Sequence, residues 1–123
     1  IEKAYHLGIF LASTEEESFS EGLRIQLLKG SISTSLHDLT SLPYSHPVYH
    51  KDSYQASQAL AQEIYHQGSH GIMYHSVRHV NHICFAVFHP KHVKIPIKTK
   101  HIALHFNGQY IDKFFDNDRW IYL

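Results

Sequence analysis

The sequence predicts a single compact α+β domain in which a mixed, mainly antiparallel sheet is flanked by helices. Short apolar runs typical of strands, apolar residues at helical spacing, and an Asn-Gly turn between two strand-like runs support this prediction. A chain of 123 residues with 43% hydrophobic content suits one packed core. We therefore expect one domain over residues 1–123.

The first part of the chain is expected to form a strand and then a helix. Gly8 to Ala12 is a short apolar run. Thr14 and Glu17, three residues apart, form a capping-box pattern, and glutamates crowd the first turn, where the helix dipole favours carboxylates. This pattern predicts a helix that runs to about Lys29.

The middle of the chain is expected to be a connection followed by a second helix. Gly30 to Thr40 is rich in serine and threonine, and Leu42 to His50 contains two prolines, so an extended or looped path is predicted. Asp52 is the expected cap of the next helix, with Gln55 at its third position, and Gly68 is expected to end it. The apolar stripe of this helix consists of Ser57, Leu60, Ala61 and Ile64.

Two apolar runs then bracket a polar loop. Gly71 to Tyr74 and Ile83 to Phe88 are predicted strands, and the loop between them carries Ser76, Arg78 and Asn81. A hydroxyl, a guanidinium and a carboxamide held between buried strands can grip an anionic ligand. Loop capping by Ser76 together with a surface cation at Arg78 is the alternative, and the spacing does not separate the two.

The C-terminal part predicts a hairpin. His101 to Phe106 and Gln109 to Phe115 flank Asn107-Gly108, a strong signal for a type I′ turn, which needs positive φ at both central residues. Arg119 to Leu123 is expected to add a last strand.

The charge balance excludes a protein whose overall field recruits polyanions. There are 11 basic and 11 acidic residues, so we expect no direct nucleic-acid partner and no membrane partner, and any binding to polyanions has to come from a local patch. The single cysteine, Cys84, favours a reducing compartment, and no apolar run approaches the length of a spanning helix. We expect a soluble, cytoplasmic protein.

The 13 histidines suggest a metal site, but their pattern does not support one. His75, His79 and His82 lie close together without the cysteine pair, H-E-x-x-H motif or helical frame typical of zinc ligands, so no metal is expected. Cys84 lies in an apolar run and is expected to pack rather than act as a nucleophile. Glu21 has two interpretations: a solvated helix glutamate, or a carboxylate that stabilises a developing cation.

Several segments, taken in order, resemble the RES domain family from about Gly8 to beyond Pro90. The quoted segments are G-I-F-L-A-S, S-F-S-E, D-S-Y-Q-A-S-Q-A-L-A, S-H-G-I-M-Y-H-S-V-R, I-C-F-A-V-F-H-P and the later H-I-A-L-H-F-N-G-Q-Y. RES domains are the toxins of bacterial Xre-RES toxin-antitoxin pairs, are similar in fold to ADP-ribosyltransferase toxins, and degrade NAD+ by phosphorolysis or hydrolysis. The resemblance implies an NAD+ phosphorylase or glycohydrolase that needs no cofactor, with phosphate as the candidate co-substrate.

The resemblance also implies site residues and partners. Glu21 and Ser76 match the family's glutamate and serine and are the implied catalytic residues. Phe10, Arg78 and Asn81 are the implied substrate-binding residues. The implied partners are NAD+ and a cognate Xre-type antitoxin, and a homo-oligomer is left open.

Three departures from the family pattern keep a second hypothesis open. The family's arginine falls at or just before Ile1, so we expect the N-terminal end of the domain to be truncated. Phe10 stands where a tyrosine is usual, and Asn81 and His82 replace paired glycines. The alternative is a catalytically degenerate RES-like module that binds a nucleotide or a partner protein without turnover.

Overall fold

The computed structural model of the chain describes residues 21–116 and 118–123. These residues divide between two units: unit 1 contains residues 21–29 and 97–123, and unit 2 contains residues 30–96. Antiparallel and mixed sheets together with a helix confirm the predicted α+β class. The single domain and the ADP-ribosyltransferase-like fold stay predictions. Phe10 and the strand predicted at Gly8 to Ala12 lie outside the described residues.

Strands make up most of the regular structure in the described residues. In chain order they are β1 (Glu21–Lys29), β2 (His37–Asp38), β3 (Gly71–His75), β4 (Ile83–Val87), β5 (Ile97–Phe106), β6 (Ile111–Asp116) and β7 (Arg119–Tyr122). The helix is α1 (Gln55–His66), and short 3-10 helices span Pro47–Tyr49 and Pro90–His92.

Unit 1 contains an antiparallel sheet of four strands in the order β1-β5-β6-β7. One face of the sheet carries the buried cluster of Leu104, Phe106 and Ile111. Alternation along β5 places Leu104 and Phe106 on the same face, as expected of a strand with one buried side. The partly buried residues packed against this cluster are Leu23, Ile25, Ile102 and Phe114.

The helix predicted to run to Lys29 is wrong over residues 21–29, which form β1. Along this segment Leu23, Ile25 and Leu27 alternate with more polar residues, and this two-residue period fits a half-buried strand. Pairing with β5 provides hydrogen-bond partners along one edge of β1, and the packing of this sheet buries one face of the strand. Such long-range packing overrides a local capping signal.

Unit 2 contains a sheet of three strands in the order β2-β3-β4, in which β2 runs parallel to β3 and β4 runs antiparallel. Ile72 on β3, Ile64 on α1 and Tyr49 are buried. Strand β4 lies at an edge, with Ile83 and Phe85 about half exposed, so the prediction of a buried strand is wrong there.

Helix α1 confirms the second predicted helix, but Asp52 does not cap it. The N-cap residue is Tyr54, which makes no capping hydrogen bond through its side chain. The backbone N–H of Asp52 instead donates to His50 Nδ1 at 3.1 Å. In the described part of the chain, no helix is long and apolar enough to cross a membrane.

The predicted C-terminal hairpin is confirmed, whereas its two-residue turn is wrong. Residues 107–110 connect β5 to β6, and only Gly108 among them has positive φ, at 99°. Asn107 Oδ1 accepts hydrogen bonds from the N–H groups of Gln109 and Tyr110, at 2.9 and 3.0 Å. The side chain of Asn107 thus fixes a four-residue connection between the strands, in place of the predicted two-residue type I′ turn. Strand β7 confirms the last predicted strand.

Candidate functional site

The candidate site is centred on the loop of residues 76–82 between β3 and β4, called the serine loop below. Ser76 begins the loop and is only 2% exposed. Its Oγ accepts hydrogen bonds from the backbone N–H groups of Arg78 and His79, at 3.3 and 2.9 Å. Its own N–H donates to the carbonyl of His82 at 2.8 Å, which closes the loop. Ser76 therefore fixes the path of the loop from inside.

Arg78 links the serine loop to the segment that precedes α1. Its Nη2 donates to the Lys51 carbonyl at 3.3 Å and to the Tyr54 hydroxyl at 3.2 Å. These contacts hold a guanidinium beside the loop, with donors in the planar arrangement that suits phosphate oxygens.

Asn81 occupies the left-handed region of backbone conformation, with φ of 66°. Asparagine tolerates this region better than most residues other than glycine. Its N–H donates to the Tyr44 hydroxyl at 3.2 Å. Asn81 thus adopts a backbone conformation that glycine takes readily. The residue, which carries the carboxamide, is exposed.

Aromatic rings support the end of β3 next to Ser76. The His75 ring stacks on Tyr44 with centroids 5.0 Å apart, and Tyr49 lies 6.0 Å away. Nε2 of His75 is 2.9 Å from the Thr40 carbonyl, which can only accept, so Nε2 carries the proton. The Tyr49 hydroxyl donates to the Leu39 carbonyl at 2.9 Å and accepts from the His75 N–H at 3.4 Å. The strand end is therefore held by both packing and hydrogen bonds.

Asp38 contributes a negative charge near this strand end. The Thr40 hydroxyl donates to Asp38 Oδ1 at 2.6 Å and the Thr40 N–H donates at 2.8 Å. These two hydrogen bonds, with a smaller contribution from His75, lower the pKa of the Asp38 carboxyl. Asp38 therefore stays ionised at neutral pH.

The structure brings together three of the five residues expected from the sequence: Ser76, Arg78 and Asn81 lie in one loop of unit 2. Glu21 is the first residue of β1, in unit 1, where its backbone pairs with Phe106. The loop-capping interpretation of Ser76 is confirmed by its hydrogen bonds. Binding of a ligand by these residues stays a prediction.

The sequence did not reveal the tyrosines that surround the serine loop. Tyr44, Tyr49 and Tyr54 come from the segment whose pattern predicted only a looped connection. Their hydroxyl groups contact Asn81, His75 and Arg78 respectively. The available signal was a tyrosine at every fifth position of a proline-containing segment. Large aromatic residues that recur in this way indicate a packed segment rather than a solvated loop.

The histidines of the loop do not form a metal centre. The rings of His79 and His82 stack with centroids 3.5 Å apart and planes 12° apart. No group of three or more histidine, cysteine, aspartate or glutamate residues is arranged to hold a metal ion within residues 21–116 and 118–123.

The elements and the loop define a small α+β protein with a candidate site between two strands of unit 2. The family model of the RES domain matches residues 1–107. The chain therefore belongs to the RES domain family, as the sequence segments indicated. No curated protein and no solved structure gives a significant match to the chain.

Proposed function

We propose that this RES domain degrades NAD+ by cleaving the bond between nicotinamide and ribose, and that it acts as a toxin restrained by a cognate Xre-type antitoxin. Membership of the RES family is the observation that carries the proposal, because the matched residues 1–107 include every residue assigned a role. Activity on NAD+ is consistent with this family, and the chemistry of the broken bond supports a role for each of these residues.

Breaking the nicotinamide–ribose bond leaves positive charge on the ribose. A carboxylate beside the sugar stabilises this oxocarbenium-like group and can hold a ribose hydroxyl. Glu21 takes this role because it matches the family's glutamate. Nicotinamide departs as a neutral ring with the electrons of the broken bond, and phosphate or water attacks the ribose from the opposite side. The acceptor decides whether the reaction is phosphorolysis or hydrolysis.

The serine loop is proposed to hold the pyrophosphate and ribose of NAD+. Ser76 shapes the loop through the two N–H groups bound to its Oγ, and its hydroxyl is the assigned contact to a phosphate or ribose oxygen. The Arg78 guanidinium supplies a charge-assisted hydrogen bond to the pyrophosphate. The Asn81 carboxamide adds a polar contact, and the Phe10 ring lines the nicotinamide end.

The second candidate function is a RES-like module that binds a nucleotide or a partner protein without turnover. Substitution of the paired glycines by Asn81 and His82 favours it, since added side chains crowd the approach of a ligand to the loop. Asn81 takes the left-handed conformation that glycine adopts readily, so the loop keeps its backbone path at this position while the carboxamide fills space that a glycine leaves open.

Nicotinamide release tests the two functions against each other. The protein is incubated with NAD+, with and without phosphate, while nicotinamide and the ADP-ribose product are separated and quantified. The first function predicts stoichiometric release of both, with a phosphorylated product if phosphate is the acceptor. NAD+ that binds in calorimetry but stays intact would instead identify the binding module. Absence of both binding and turnover of NAD+ would contradict the first function and would restrict the second to a module that binds another nucleotide or a partner protein.

A further inference from the structure

The sheet of unit 1 has a second face, opposite the buried cluster, on which aromatic and cationic residues are gathered. Residues that pair directly across antiparallel strands lie on the same face, and the register defines two cross-strand rows. One row is Gly22, His105, Lys113 and Tyr122, and the other is Arg24, Ala103, Phe115 and Trp120. We call this face the aromatic platform.

Three aromatic rings of the platform are exposed. Tyr122 is 72% exposed, Trp120 45% and Phe115 37%. Trp120 and Phe115 pack against each other with centroids 5.3 Å apart, which fixes the position of the indole. A contiguous group of exposed aromatic side chains, unlike a single exposed ring, marks a surface that binds a partner.

The platform also carries positive charge. Lys113 Nζ lies 4.8 Å from the centroid of Trp120 and 5.6 Å from that of Tyr122. Arg24 is exposed at the opposite end of the second row. Asp112, which bulges from β6, is engaged by His105 through a hydrogen bond of 2.7 Å. The cations therefore border a surface whose nearby carboxylate is hydrogen-bonded to the His105 ring.

Two small residues, Gly22 and Ala103, lie on the β1–β5 side of the platform. Gly22 lies on β1 at the outer end of the first row, and a Cβ built there meets no atom within 4 Å, whereas Ala103 lies on β5 at an inner position of the second row. A face with exposed rings on β7, Lys113 beside them and Arg24 at the far end of the row suits planar ring systems joined by an anionic backbone.

From this arrangement we propose that the aromatic platform binds single-stranded nucleic acid. Bases stack on Trp120 and Tyr122, which stand two residues apart on β7 and so present separate rings along one edge of the face. Phosphates contact Lys113 and Arg24, and Lys113 leaves its exposed cation–π contacts to reach them. An acidic peptide would use the same cations but would leave the indole and phenol rings without a planar partner. Although the chain carries no net charge, this local patch supplies the positive charge that attracts the phosphates of a nucleic acid.

Trp120 provides a direct probe, because it is the only tryptophan of the chain. A twelve-nucleotide oligo(dT) or oligo(U) titrated into the protein at low salt should quench tryptophan fluorescence as bases stack on the indole. Binding followed by anisotropy of a labelled oligonucleotide should weaken about tenfold in Trp120→Ala and in Tyr122→Ala. Tyr65→Ala, which removes an exposed aromatic ring of unit 2, should leave the affinity unchanged.

The salt dependence tests the cationic part of the platform. Lys113→Gln and Arg24→Gln should each reduce the slope of log affinity against log salt by about one. Lys94→Gln is the control, because Lys94 is exposed and lies in unit 2, and it should leave the slope unchanged. Binding without tryptophan quenching, or binding that Trp120→Ala leaves intact, would overturn the proposal. Equal binding of polyglutamate would assign the face to an acidic protein, and displacement of the oligonucleotide by NAD+ would assign it to the NAD+ site; either result overturns it.

Discussion

At the level of single residues, Ser76 combines a structural task with its proposed role in catalysis. Its buried Oγ accepts two backbone N–H groups, and these groups have to find other partners if the hydroxyl is removed. A variant at this position therefore changes the loop as well as any ligand contact. Loss of activity in the Ser76→Ala variant can be assigned to a lost ligand contact only when the stability of the variant is measured as well.

Ser76→Ala should lower the free energy of unfolding by roughly 1–3 kcal/mol, the usual cost of leaving buried donors without their acceptor. Urea unfolding followed by circular dichroism measures the change. Ser45→Ala is the matched control, because Ser45 is exposed and its substitution should stay within about 0.5 kcal/mol of the parent. Equal stabilities for the two variants would show that the Oγ contacts do not hold the loop.

At the level of elements, β3 and β4 depend on the absence of a side chain at Gly71. A Cβ at this position would overlap the carbonyl oxygen of Ala86 and lie 2.8 Å from Leu36 Cδ2 and 3.1 Å from Val87 Cα. Since two of these neighbours are backbone atoms of the paired strand, they have little room to move. This contact lies at the end of the β3–β4 pair away from the serine loop, whose own ends meet where His75 pairs with Ile83.

Gly71→Ala should destabilise the protein by about 3 kcal/mol, because the strand pairing has to open to admit the methyl group. Gly30→Ala provides the contrast within the same unit, since a Cβ there meets Pro96 at an ordinary 3.8 Å. Thermal or urea unfolding of the two variants compares them. A Gly71→Ala protein as stable as Gly30→Ala would contradict the close packing of the two strands.

The 3-10 helix Pro90–His92 brings His92 into a group with His70 and His89. The rings of His92 and His70 stack with centroids 4.2 Å apart, and His89 lies 6.1 Å from His92. Nε2 of His92 is buried without a hydrogen-bond partner among the described residues. Burial lowers the pKa of His92, and the neighbouring His70, Lys91 and His89 lower it further.

This lowered pKa makes stability fall on mild acidification. The unfolded chain binds a proton at His92 near its ordinary value of 6.5, whereas the folded protein does so only at lower pH. Above pH 6.5 the neutral His92 ring therefore makes its full contribution to the free energy of unfolding. This contribution decreases as the pH falls from 6.5 toward the pKa of His92 in the folded protein. His92→Phe keeps a ring in the stack and removes the titration, so its free energy of unfolding should vary less between about pH 7.5 and 5.5. An unchanged pH dependence would contradict this account of His92.

Individual elements show what the sequence could predict. Local sequence patterns identified helix α1 and the strands around the serine loop. The spacing of their apolar residues and the turn residues at their boundaries are typical of these elements. The residues of β1 carried a two-residue alternation, but the capping pattern at Thr14 suggested a helix, and only pairing with the distant β5 decides between them. The turn at Asn107 was assigned the wrong type because its side chain, rather than the dipeptide alone, sets the backbone path.

At the level of the whole molecule, sequence order identified the family and part of the candidate site. Ser76, Arg78 and Asn81 were predictable together because they share one loop. The contacts of Tyr44 and Tyr49 were not, since Tyr44 reaches Asn81 in the loop and Tyr49 reaches His75 at the end of β3, across 37 and 26 positions. Contacts of that range depend on packing that no local pattern encodes. The family resemblance alone connects Glu21 with the serine loop.

The central claim is that Glu21 stabilises the ribosyl cation formed when NAD+ is cleaved. Glu21→Gln keeps the size and shape of the side chain and removes its charge. It should lower kcat for nicotinamide release at least about a hundredfold, while the affinity for NAD+ changes little, because the charge is needed mainly in the transition state. Glu63→Gln, at an exposed position of α1, is the matched control and should keep parental activity.

The most direct measurement is therefore the rate of nicotinamide release by the parent, Glu21→Gln and Glu63→Gln proteins at saturating NAD+, with binding measured separately by calorimetry. The account predicts a large loss of turnover in Glu21→Gln alone, with binding retained. A Glu21→Gln protein that releases nicotinamide as fast as the parent would contradict it.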